Sequence, residues 1–144
     1  DRLAYFRDIS TFGGCAAGCT AALENMKIIE EEKLLARVTE MGAYLLEGLR
    51  SLADLPWVGD VRGVGLLCGV EFVADKASKK PLSDAKIIQI AGETAAQGVL
   101  VGRTNRSFSS GNNIINLAPA YVVTRTDIDA MVAALRAAVV KVLG

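Results

Sequence analysis

The chain contains no histidine. That absence excludes a Ser-His or Cys-His nucleophile pair and any imidazole base. Long apolar runs are missing as well, since none approaches the ~18–20 residues needed to cross a bilayer. The opening DRLAYFRDIS has scattered charges and lacks the apolar centre of a signal peptide. Neither sign of charge is in excess: 16 basic residues balance 16 acidic ones, interspersed. An electrostatic footprint for nucleic acid or an acidic membrane is therefore not expected. Cysteines number three, flanked by small apolar residues, and read as buried thiols of a reducing compartment. Cys15 and Cys19 stand one helical turn apart, but two thiols with no histidine and no further nearby ligand make a poor metal site. No GxxxxGK[ST] loop occurs. After Gly63-Val64-Gly65 comes LLCGVEFV, a strand pattern where a dinucleotide fingerprint needs a helix. A soluble, cytoplasmic protein that holds no metal is the expectation.

What is present suits one domain of ordinary size. The 144 residues are 51% apolar and 22% charged, with a mean hydropathy of +0.34, so a core can form. That apolar surplus, and a start at Asp1 without an initiator methionine, read as a piece of something larger. Helical spacing predicts a first helix up to Glu32, with a stripe of Cys19, Ala22, Met26 and Ile29 and with Leu23 beside it. A second helix carries Leu35, Val38, Met41, Leu45, Leu49 and Leu52, and Pro56 closes it. Alternation predicts strands Gly59–Arg62 and Leu66–Val73, with Gly63 and Gly65 easing the bend between them. The charged stretch DKASKKP reads as a turn. Ser83-Asp84 offers an N-cap for a helix that Gly98 stops, with Ile87, Ile90 and Ala91 facing inward. Short strands over Val99–Gly102 and Asn113–Ala118 flank the polar loop RTNRSFSSGN. Thr124 and Asp127 then have capping-box spacing ahead of a last helix with Ile128, Met131, Val132, Leu135, Val139 and Val142 inward. The order of elements predicts an α+β fold of sandwich type, a small sheet of short strands covered on one side by helices.

Residues able to do chemistry are few. Every lysine falls on a polar face, in a turn or near a helix end, so none has the desolvated setting of a covalent residue. Alone, the chain is expected to be inactive. Asp60 and Arg62 share a strand face and read as a surface ion pair. Arg103 and Arg106 lie in the polar loop, where a guanidinium either is solvated or meets a carboxylate. In DISTFGGCAAGCTAALENMKIIEEE a hydroxyl and a bare Gly-Gly precede a helix. Thr11 there reads as a simple N-cap or as half of a phosphate cradle.

The stretch TFGGCAAGCTAALENMKIIEEEKLLARVTEMGAYLLEGL, then VGDVRGVGLLCGVEF, DKASKKP, QGVLVGR, NLAPAYVVT and the final helix together resemble the class III (ω-amino acid type) pyridoxal-phosphate aminotransferases. The resemblance runs in order through most of the chain and covers only the C-terminal part of such an enzyme. It implies residues 1–32 as a lead-in segment and connecting helix from the large domain, and 33–144 as the C-terminal small domain of a fold type I enzyme. It also implies a homodimer and pyridoxal 5'-phosphate held by an upstream lysine outside this chain. The whole enzyme would pass an amino group from an amine or ω-amino acid to a keto acid such as pyruvate. Thr11, with the backbone N–H near Ser10, would reach the neighbouring subunit's cofactor phosphate. The chain departs from the family pattern at Cys15 and Ala16, where a polar residue and a proline are usual. Asn116 stands where an arginine is often found, and Ala120 replaces a second proline. Arg103 or Arg106 is then the candidate for a substrate carboxylate. The rival readings are a free-standing α/β binding module and a related aminomutase.

Overall fold

Two compact units, Asp1–Leu34 and Leu35–Gly144, make up the chain, and the computed structural model describes residues 11, 13–104 and 111–144. The first unit holds helix α1, Ala16–Glu31. Gly14, at φ +80°, has a left-handed backbone that no right-handed helix can include. The helix therefore starts after it, with Cys15 as an extended N-cap whose thiol makes no capping bond. At the other end Glu32 donates to the Ile28 carbonyl and Lys33, at φ +52°, turns the chain out of the helix. The acidic run Glu30–Glu32 is exposed, as its charge demands.

No residue of α1 is buried, which corrects the expectation for two cysteines. Cys15 and Cys19 are exposed, and all three thiols are free. Their small apolar neighbours suggested burial, but periodicity marks which face is apolar and not what covers it. Leu23 and Met26 on the same helix are likewise exposed. Cys68 is buried, and desolvation pushes its thiol above the ordinary value.

In the second unit, helix α2 (Leu34–Arg50) runs into a 3₁₀ turn, Ser51–Asp54. Its stripe is Met41, Leu45, Leu49 and Leu52, all buried, whereas Leu35 stands exposed. Strands β1 (Val58–Val64) and β2 (Leu67–Asp75) form an antiparallel hairpin joined by Gly65-Leu66. Gly65 takes φ +54° and Leu66 does not take a positive φ, as a type II′ turn requires, and that turn's twist matches the strands. The turn lets the strands run longer than their sequence boundaries. In the DKASKKP turn the Asp75 carboxylate accepts from the Ser78 N–H and hydroxyl, both at 2.6 Å, before the short strand β3 (Lys80–Pro81) pairs back onto β2.

Helix α3 (Asp84–Ala96) follows, capped in position by Ser83 but without a side-chain bond from it. Ile87, Ile90 and Thr94 are its buried residues. Strands β4 (Gly102–Arg103) and β5 (Ile114–Leu117) complete an antiparallel sheet of order β1-β2-β5-β4, with β3 beside β2. Helix α4 (Arg125–Leu143) ends the chain. Strand residues Val58, Val70, Phe72, Ile115 and Leu117 share one buried core with residues of α2, α3 and α4. Alternation puts the other strand face, Asp60, Arg62, Leu67, Gly69 and Asn116, outside that core. The fold is α+β, with α2, α3 and α4 packed against one side of the sheet.

The capping box of α4 is complete: Asp127 N–H donates to the Thr124 hydroxyl at 3.2 Å, and the Asp127 carboxylate accepts from the Thr124 N–H at 2.9 Å and hydroxyl at 2.6 Å. Those bonds, the hydroxyl's first, hold the Asp127 carboxyl below its usual range. Asp54 is lowered by the Arg136 guanidinium, and Asp75 by the Ser78 hydroxyl. A carboxyl depressed by folding stabilises fully above its unfolded value, and the gain is lost as pH falls through the folded value. Thermal melts followed by circular dichroism should hold steady from neutrality to about pH 5 and fall below about pH 4. Asp127→Asn, with nothing to protonate, should give a shallower acid limb; an unchanged limb would show that the cap is not formed.

Candidate functional site

Three places hold the chemistry-bearing residues. Thr11 lies in an exposed turn with Gly13 and Gly14, ahead of the α1 cap. It is not the N-cap: the left-handed Gly14 separates it from the helix, and Cys15 fills that place. A Cβ built on Gly14 would meet nothing within 4 Å, so the turn is open on that side. The first amides of α1 have no side-chain cap from Cys15. An exposed hydroxyl, a bare glycine turn and amides that no side chain caps among the described residues suit an oxyanion such as a phosphate. Ser10 lies outside the described residues.

Arg103 is the last residue of β4, in register with Ile115 of β5. It is half-buried, and among the described residues no side chain or carbonyl hydrogen-bonds its guanidinium. The loop it enters is pinned where it begins and ends. Thr104 N–H donates to the Ile114 carbonyl at 3.1 Å. The buried Asn113 bonds twice to Phe72 of β2: its side-chain amide donates to the Phe72 carbonyl at 2.7 Å, and its backbone carbonyl accepts from the Phe72 N–H at 2.8 Å. The Asn112 amide reaches Asp84 at the start of α3, at 3.1 Å. Arg106 lies outside the described residues. Arg103 belongs to the second unit and Thr11 to the first.

The third place is the sheet face turned away from the helices. Arg62, Gly69, Asn116 and Gly102 stand in one cross-strand row. Arg62 bridges Asp60 at 2.6 Å and Glu71 at 2.8 Å. Those two carboxylates face each other across the strands, so the guanidinium offsets their repulsion. All three groups are partly solvated, which keeps the stabilising effect small. Asn116, between two glycines, has its side-chain oxygen enclosed without a hydrogen-bond partner among the described residues, as has the Thr104 hydroxyl. Sequence reasoning had marked Asn116 only as a departure. The alternation of NIINL, which turns it away from Ile115 and Leu117, was the available signal. Among the described residues no group of three possible metal ligands exists, and no helix is long and apolar enough to cross a membrane.

The family model for class III aminotransferases matches residues 4–139. The chain belongs to this family. It is 52% identical over 139 residues to the taurine–pyruvate aminotransferase of Rhodobacter capsulatus, covering 96% of this chain and 30% of that protein. The hypotaurine/taurine–pyruvate aminotransferase of Paracoccus denitrificans is 48% identical, over 99% of this chain and 31% of its own length. Among solved structures, an aminotransferase of Bacillus anthracis superimposes with a TM-score of 0.88 at 39% identity, covering 98% of this chain and 32% of that one. This class III chain thus spans about 30% of the length of the relatives it matches. Its described part is the same α+β arrangement, and the departures at Cys15, Ala16 and Asn116 sit within it.

Proposed function

We propose that this chain is the C-terminal part of a class III, pyridoxal-phosphate-dependent aminotransferase that acts as a cytoplasmic homodimer. The unit from Leu35 onward is its small domain, and the preceding unit is the lead-in from a large domain. The donor is a small ω-amino acid of the taurine type, and the acceptor is a keto acid such as pyruvate. One observation carries this reading: 52% and 48% identity, through nearly the whole chain, to two enzymes named for taurine and pyruvate.

The residues present fit the cofactor's phosphate. Thr11 would donate its hydroxyl, and the backbone near Ser10 an N–H, to a phosphate bound in the partner subunit. When bound, the cofactor supplies the electron sink that lets an amino group leave one carbon skeleton and join another. This chain supplies no covalent residue, and the lysine lies upstream. Arg103, ending a strand that holds it at the mouth of a pinned loop, would meet the substrate's acid group, with Arg106 nearby in sequence. A guanidinium suits both the carboxylate of a keto acid and the sulfonate of taurine, since each offers paired oxygens to its planar fork. Asn116, which carries no charge, could not replace it.

In the full-length protein, Thr11→Ala should weaken cofactor binding by about 10- to 100-fold, the loss expected for a hydrogen bond to a charged group. Turnover of taurine with pyruvate should largely recover at saturating cofactor. Equilibrium dialysis with added pyridoxal phosphate, alongside alanine formation, measures both. An unchanged cofactor affinity would remove Thr11 from the site.

A further inference from the structure

Among the described residues three enclosed side-chain polar atoms lack a hydrogen-bond partner, and two of them belong to residues that line one hollow. These two are the Asn116 Oδ1 and the Thr104 hydroxyl. The hollow, of 520 Å³, lies on the sheet face turned away from the core and spans the strands from Arg62 on β1 to Thr104 just beyond β4. An enclosed oxygen left unpaired forfeits its whole desolvation cost, so folded proteins seldom keep one without a donor brought by a ligand or a water. Asn116 also has room to turn. Gly69 and Gly102 flank it in its cross-strand row, and neither sets a side chain in the way of its amide. A Cβ on Gly102 would stand 3.2 Å from the Asn116 Nδ2, so the bare glycine is what leaves the amide free to swing its oxygen into the hollow.

We propose that this hollow binds the free ammonium end of a straight-chain diamine, which makes diamines a second class of amino donor beside the taurine type. The proposal rests on the reading above that the chain is part of a transaminase. Charge chooses the ligand. Arg62 is the one charged residue lining the hollow, and Asp60 and Glu71 both bridge its guanidinium. One cation against two carboxylates leaves that cluster with negative charge in excess, so an incoming ammonium is attracted and an acid group is not. An ammonium also brings the N–H donors that both oxygens lack, whereas a carboxylate or sulfonate offers only further acceptors. Val64, Leu67 and Ile114 line the remainder and suit a methylene stem. Thr104 follows Arg103 directly and keeps the pairing of β4 with β5, its N–H on the Ile114 carbonyl. Alternation therefore directs the two side chains to opposite faces at the strand's end. A guanidinium for acid groups and a pair of acceptors for an ammonium thus leave from neighbouring residues without competing for one ligand.

The test compares putrescine with butylamine, which has the same stem and no second ammonium, as donors to pyruvate in the full-length protein. Alanine formation should give putrescine a KM about 10-fold below that of butylamine, the gain expected for hydrogen bonds from a charged group. Asn116→Leu and Thr104→Val, which keep the shape and remove the acceptors, should each bring the two KM values together. Gly102→Ala should do the same without removing a polar group, by holding the amide in place. Three variants guard against one that fails to fold. Equal KM values for the two amines in the parent, or a putrescine advantage that survives in every folded variant, would overturn the site. So would a propanesulfonate that competes with putrescine and loses its grip in the same variants, since the hollow would then be an anion site. Calorimetric titration with putrescine, after borohydride reduction of any bound cofactor so that turnover adds no heat, separates this inference from its basis. Putrescine binding that falls in the variants, in a protein that forms no alanine from any donor, keeps the site and loses the transaminase reading. Alanine formed from taurine with no preference for the diamine defeats the site alone.

Discussion

Phe72→Ala should cost the domain about 3–5 kcal/mol, the range for truncating a large buried aromatic. A domain has only about 5–15 kcal/mol to lose. Phe72 has no exposed surface and belongs to the core shared by the sheet and α2, α3 and α4. Its backbone is held as firmly as its ring. The carbonyl accepts from Leu82 at 3.1 Å and from the Asn113 side chain, and its N–H donates to the Asn113 carbonyl. Loss of the ring therefore loosens the strand that pins the far end of the Arg103 loop. Phe72→Leu keeps most of the volume and should cost clearly less. Trp57, the single tryptophan, is partly buried against the same core, and its carbonyl accepts from Val73 N–H at 2.8 Å. Urea unfolding followed by its emission reads both variants. Equal midpoints for Phe72→Ala and the parent would mean that the ring does not fill the core as described.

What the sequence made legible was local. The capping box Thr124–Asp127 depends on residues three apart, and it formed as its spacing implies. The stripes of α2, α3 and α4 were legible for the same reason. Strand limits were not. The stretch Val99–Gly102 has the composition of a strand, yet the strand is Gly102–Arg103, because pairing with Ile115 and Asn116 decides it. A partner more than ten residues away leaves no mark in a local window. The exposed ends of apolar stripes misled in a related way. Leu35 and Cys19 fall on the right period, but a period cannot say that nothing among the described residues covers them.

Of the candidate site, the residue types were legible and their assembly was not. Arg103 sits where a strand opens into a polar loop, as its sequence context implied, and the Asn112-Asn113 pair that pins that loop went unnoticed. Two asparagines in a polar run look like turn residues; only the fold shows that Asn113 is buried and bonded to β2. Thr11 kept its exposed hydroxyl but lost the N-cap place to Cys15, since one left-handed glycine shifts where the helix can begin. Ser10 and Arg106 lie outside the described residues, so their roles rest on the family resemblance.

Replacing Gly42 should destabilise the fold, against what helix propensity alone predicts. Glycine in mid-helix costs about 1 kcal/mol relative to alanine, so on local grounds Gly42→Ala in α2 stabilises. In the folded domain a Cβ at this position would run into the backbone of Gly65, at 2.6 Å from its Cα. Real Cβ atoms do not approach backbone so closely, and the obstacle is a turn rather than a flexible side chain. Gly65 cannot retreat freely, because its φ of +54° is set by the type II′ geometry that keeps β1 and β2 in register. A Cβ on Gly65 would in turn press Val38 at 3.1 Å, so the two glycines define one close crossing of helix and hairpin. Overpacking of this kind costs about 1–3 kcal/mol for a methyl group, enough to reverse the propensity gain, and Gly42→Leu should abolish the cooperative unfolding transition. The crossing also places the hairpin tip, with Val64 and Leu67, beside Val38 of α2. Loss of the transition in Gly42→Leu alongside a modest loss in Gly42→Ala is the expected pattern; a more stable Gly42→Ala would mean that helix and turn do not touch.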